Sequence, residues 1–144
     1  MMFEMIYILI VTWIEAFLLH ELCHLLEAYR QGANSLAIRV WIWKFIPSFQ
    51  AVADDIKNEF LFALSGGLYS GLILLLETII AIATGASVFI LPLTVVTITN
   101  LIYSIYEAKY LYKIPMDVYM KWHYLIYAIG IVLAVVLYKI ILQM

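Results

Sequence analysis

His20, Glu21 and His24 stand in the order His-Glu-x-x-His within "LLHELCHLLEAYRQG", residues 18–32. On an α-helix the two histidines lie one turn apart and project to the same side, the spacing two imidazoles need to share one metal ion. Glu21 is rotated about 100° from His20, where its carboxylate can accept a proton from a water on that ion. A zinc ion so held lowers the pKa of bound water toward about 7, which makes hydroxide available at neutral pH to attack an amide carbonyl. The bland alternative is a chance match whose histidines only hydrogen-bond between helices.

The surroundings weigh against chance. Of the 144 residues, 67% are hydrophobic and 12% charged, and the mean hydropathy is +1.04. A soluble domain runs at about 45–50% apolar and 25% charged, so the composition is that of an integral membrane protein. In a bilayer each ionisable group costs about 2.5–3.5 kcal/mol on insertion scales, and it is by default a functional candidate. The net charge of −2, with no basic run, excludes nucleic acid as an expected partner. Cys23, the single cysteine, excludes an internal disulfide framework. The N-terminus lacks the basic region and small-residue cleavage site of a signal peptide and is expected to remain as helix.

The elements that must position the motif follow from the apolar runs. The expectation is an all-α polytopic membrane protein of four transmembrane helices, about 5–28, 58–83, 88–108 and 115–142, forming one membrane-embedded domain over 1–144. Between the first two helices, β-branched and aromatic residues alternate with period two, which predicts a short β hairpin or strand with Pro47 at its bend or turn. Gly67 and Gly71, four apart beside Ser70, predict a close helix–helix contact. Arg30, Arg39, Lys44 and Lys57 lie in the first loop, and Lys109, Lys113 and Lys121 flank the third. The positive-inside rule makes those loops cytoplasmic and leaves both termini outside. The histidines then lie roughly 6 to 12 Å from the cytoplasmic end of the first helix.

A catalytic zinc takes three protein ligands and a water, so a third donor is required. Glu27 shares the His20 stripe, but ligands at i, i+4 and i+7 spread over about 10.5 Å of rise, too far to converge on one ion; it is expected at the cytoplasmic mouth. Glu107 and His123 fall at the right ends of the third and fourth helices. Asp117 sits in the first turn of the fourth helix, where the helix dipole and Lys121 already account for it. On the third helix Thr97, Asn100, Ser104 and Glu107 form one polar stripe. Asn100, at the depth of His20, is positioned to bind a substrate backbone or a developing oxyanion; interhelical hydrogen bonds account for Thr97 and Ser104.

His20, Glu21, His24, Ala28 and Gly32 fit HExxHxxxAxxxG, which resembles the first core helix of the site-2 proteases, intramembrane zinc metalloproteases that cut transmembrane substrates. The likeness continues through the β-rich stretch, the "SGG" of the second helix, Asn100 and the "IPMDV" of residues 114–118. Cys23 and Val118 stand where the family has glycine, and Asn100 lies 17 positions before Asp117 rather than in one short motif with it. The resemblance implies Zn2+ as cofactor, Asp117 as third zinc ligand and a membrane protein substrate drawn from the lipid bilayer. It also implies a multi-pass protein, expected in a prokaryotic plasma membrane with its site toward the cytoplasm. Two rival readings use the same residues: an inactive relative that binds membrane clients, and a non-proteolytic membrane metal- or haem-binding protein.

Overall fold

The computed structural model describes residues 2–43, 46–110, 113 and 116–141. Its elements in chain order are α1 (Met2–Arg30), β1 (Leu36–Trp43), β2 (Ile46–Ala53), α2 (Glu59–Ala83), α3 (Ser87–Tyr110) and α4 (Met116–Ile141). All four expected helices are present. Three contain stretches long and apolar enough to cross a membrane, Ile6–Arg30, Glu59–Ala83 and Ser87–Tyr110, and α4 carries the shorter apolar stretch Tyr124–Ile140.

The helix ends are written in the sequence. α1 closes on Gly32, whose φ of +80° is a left-handed conformation that glycine adopts without a Cβ clash. There Ala33 N–H reaches the Ala28 carbonyl and Gly32 N–H the Tyr29 carbonyl, the two bonds of a Schellman cap. Gly85, at φ +72°, ends α2 with the same pair of bonds, Ala86 to Ala81 and Gly85 to Ile82. At its start α2 is capped by Asn58, whose side-chain oxygen accepts from Leu61 N–H at 2.9 Å.

Polarity is arranged inside out. Thr12, His20, His24 and Glu27 on α1, Ser65, Ser70 and Thr78 on α2, and Thr97, Asn100, Ser104 and Glu107 on α3 are buried. Leu18, Leu22 and Leu26 of α1, with Leu72, Leu76 and Ile79 of α2, are exposed. In water such a surface would aggregate, whereas lipid solvates it. As the sequence predicts, Gly67 and Gly71 carry the contact between α2 and α3. A Cβ at Gly67 would strike the Asn100 carbonyl and the Ser104 backbone, and one at Gly71 would come 2.7 Å from the Leu101 side chain. On the far side of α3, Gly130 of α4 lies against Thr99 in the same way.

The two strands form one antiparallel hairpin, and Pro47 is not at its turn. It lies inside β2 opposite Ile42. The bond from Asp54 N–H to the Ser35 carbonyl, 3.2 Å, sets the phase of the ladder. Counting from it in the observed register, Ile42–Pro47, Val40–Phe49 and Ile38–Ala51 are non-hydrogen-bonded pairs. A proline there sacrifices no ladder bond, which is why a residue expected to turn the chain continues it. β2 is the strand that leans on α1: the Phe49 and Phe17 rings meet edge to face at 5.5 Å, and Ala51 is buried with Ala28 and Phe62.

Candidate metal centre

Each histidine of the motif is held at Nδ1 by a neighbouring helix. The His24 Nδ1 lies 2.6 Å from the Phe62 carbonyl, which only accepts, so Nδ1 carries the hydrogen and Nε2 is left as the ring's acceptor. For His20 the partner is the side-chain oxygen of Asn100, 3.1 Å from Nδ1. The amide orientation of Asn100 follows from its other bonds: its nitrogen donates to the Val96 carbonyl at 2.9 Å, and its oxygen accepts from the Ser70 hydroxyl at 2.9 Å. A flipped amide would set two oxygens face to face. Both imidazoles therefore direct Nε2 toward one point.

At that point the two Nε2 atoms are 3.2 Å apart, and Glu107 Oε2 is 2.9 Å from His20 Nε2 and 3.5 Å from His24 Nε2. All three residues are buried. Two imidazole nitrogens and a carboxylate are three bases, and at this separation they require a cation among them, either a proton on an imidazole or a metal ion. The edges suit a metal: tetrahedral bonds of 2.0–2.1 Å place neighbouring ligand atoms roughly 3.3 Å apart. His20, His24 and Glu107 thus form a buried group able to hold a metal ion.

Glu21 flanks this group from the hairpin side. Its Oε2 accepts from the Ala51 backbone N–H at 2.5 Å. That N–H is free of the ladder because Ala51 occupies a non-hydrogen-bonded position. Tyr103 packs edge to face on His20, its ring 5.7 Å from the His20 ring. Gly66 presses on the face of His24, and a Cβ there would overlap the ring at Nε2.

The sequence candidates separate clearly. His20, Glu21, His24 and Asn100 come together, and Glu107, one of the third-ligand alternatives, joins them. The side chains of Asp117 and His123 lie outside the described residues. Glu27 is not at an open mouth: only 1% exposed, it accepts two bonds from Arg30, at 2.7 and 2.8 Å, and one from Gln31 at 2.9 Å. Gln31 in turn bonds both backbone groups of Asn58, tying the end of α1 to the cap of α2. Of the residues assigned to interhelical bonds, Thr97 meets Thr78 at 3.2 Å, while Ser104 donates to Leu101 within its own helix. Sequence reasoning did not assign Phe62, Gly66, Ser70 or Ala51 to the site. For Glu107 it held two signals, its place at the right end of the third helix and its share of the Asn100 stripe at i+7. An apolar cavity of about 700 Å³ between α1, α3 and α4, lined by Trp13, Val96 and Tyr127 among others, includes none of the residues of this centre.

No family model, no curated protein and no solved structure matches the chain.

Proposed function

We propose that the chain is an intramembrane zinc metalloendopeptidase of the site-2 protease type, with His20, His24 and Glu107 as metal ligands and Glu21 as general base. The observation that carries the reading is the convergence of two Nε2 atoms and one carboxylate oxygen at 2.9 to 3.5 Å, beside the motif's own glutamate. A His₂-carboxylate set suits zinc, leaving a coordination position open. An ion held by these three residues would supply an activated water and polarise the scissile carbonyl. Glu21 takes the proton from the attacking water and returns it to the amide nitrogen as the C–N bond breaks, so that one proton is moved and none is lost. Asn100 and the Phe62 carbonyl hold the ring orientations and keep Nε2 available, a positioning role. The four helices cross the bilayer, and the scissile segment reaches the centre in extended form from the cytoplasmic side.

The test is metal analysis and cleavage of a transmembrane reporter by purified protein in liposomes. About one zinc per chain is expected, with cleavage by the wild type. Glu21→Gln should keep the metal and lose cleavage by at least about 10²-fold, the lower range for general-base catalysis. Absence of stoichiometric metal, or wild-type cleavage by Glu21→Gln, would overturn the reading. Metal without cleavage of any reporter would favour the inactive relative, and a Soret band the haem protein.

A further inference from the structure

The bond between Glu21 and Ala51 does two things at once. It occupies the carboxylate assigned as base, and it occupies a donor on the outer edge of β2. The register places the N–H and C=O groups of Phe49, Ala51 and Ala53 on that edge, pointing away from β1. An extended peptide adding to β2 would lie about 4.8 Å away and pair with these groups. One side chain of α1 already occupies that edge, Glu21 on Ala51 N–H, while Phe17, whose ring meets Phe49, packs on the face of the same strand. Below them Ala51 is packed with Ala28 and Phe62, so the strand is docked on α1 as well as bonded to it. Glu21 stands where the carbonyl of an added strand would stand.

We propose that the β1–β2 hairpin is a lid, shut on α1 in this structure by Glu21 acting as its latch, and that an incoming extended substrate opens it by taking over the Ala51 N–H. Exchange of the carboxylate for a substrate carbonyl frees the base and pairs the edge in the same event. Water and non-extended segments, which cannot make that exchange, meet a site whose base is engaged. The inference rests on the protease reading for its purpose, while the motion itself can be measured without it.

The experiment locks the lid. Phe17→Cys and Phe49→Cys, in a Cys23→Ala background, are bridged by a short bis-methanethiosulfonate and compared with the same protein after reduction. Bridging should lower cleavage of the membrane reporter at least tenfold, reversibly on reduction, with zinc content unchanged. Amide hydrogen exchange over residues 49–53 should slow at least tenfold on bridging. In the unbridged protein, Glu21→Ala should speed exchange of the Ala51 amide relative to Glu21. Bridged protein that cleaves at the reduced rate would overturn the lid. So would residues 49–53 exchanging as slowly as the α2–α3 contact before any bridge is made. If the unbridged protein cleaves nothing yet bridging still suppresses exchange, the lid stands and the protease reading falls.

Discussion

Two imidazole rings, each anchored at Nδ1, account for most of the chemistry at the residue scale. Because Asn100 and the Phe62 carbonyl consume the Nδ1 hydrogens, the Nε2 atoms have nowhere to point except at each other and at Glu107. Glu107→Ala should therefore abolish stoichiometric metal binding, whereas Asp117→Ala should leave it intact. Inductively coupled plasma analysis of both variants checks this, and metal lost from Asp117→Ala alone would return the third ligand to Asp117. Asn100→Ala removes only a positioning contact, and a 10- to 100-fold fall in metal affinity is expected, the usual cost of losing such a partner. Gly66 makes a complementary case. A methyl there has no room beside the His24 ring, so Gly66→Ala should lower metal affinity at least tenfold in competition titrations with a chromophoric chelator, although no ligand atom is altered.

At the scale of elements, the contact between α2 and α3 sets where Asn100 and Glu107 lie relative to the motif helix. Gly67 meets backbone rather than a flexible side-chain end, so α3 cannot yield without moving as a body. Overpacking of this kind costs about 1–3 kcal/mol. Gly67→Ala is expected to lower the thermal midpoint and to weaken metal binding together, both followed on one detergent-solubilised sample. A lowered midpoint with unchanged metal affinity would show that α3 does not carry its ligand rigidly. The cap at Asn58 offers a control, since Asn58→Ala should cost about 1 kcal/mol at a position away from the ligands.

For the whole molecule the question is orientation. The α1–β1 loop and the α2–α3 turn lie at opposite ends of α2, whose 25 residues span roughly 37 Å, more than the hydrocarbon core. The lone Cys23 is only 2% exposed, so it should resist thiol reagents on either side, and a sensor has to be introduced. Ser35 and Ser87 are both exposed. In a Cys23→Ala background, an impermeant maleimide applied to intact cells should label Ser87→Cys and spare Ser35→Cys. The reverse pattern would invert the topology inferred from the loop cations.

What the sequence determined by itself is whatever depends on neighbours along the chain. Apolar runs and the one-turn spacing of His20 and His24 are local quantities, and they survive in the fold as read; the glycine caps at Gly32 and Gly85 are equally local. Composition likewise predicted an apolar outer surface, which the exposed leucines and isoleucines of α1 and α2 provide. The third ligand, the partners at Nδ1 and the docking of the hairpin are different in kind, since each joins residues from separate elements. His20 meets a residue 80 positions away, and Ala51 N–H reaches a carboxylate 30 positions back. Pro47 shows the boundary well: its local preference points to a turn, yet the phase of a ladder set by Ser35 and Asp54 put it where a missing N–H has no cost. Glu107 lies on the stripe with Asn100 in sequence, but only the glycine-mediated approach of α3 to α2, with α1 tied to α2 through Glu27, Gln31 and Asn58, decides that this stripe faces the histidines.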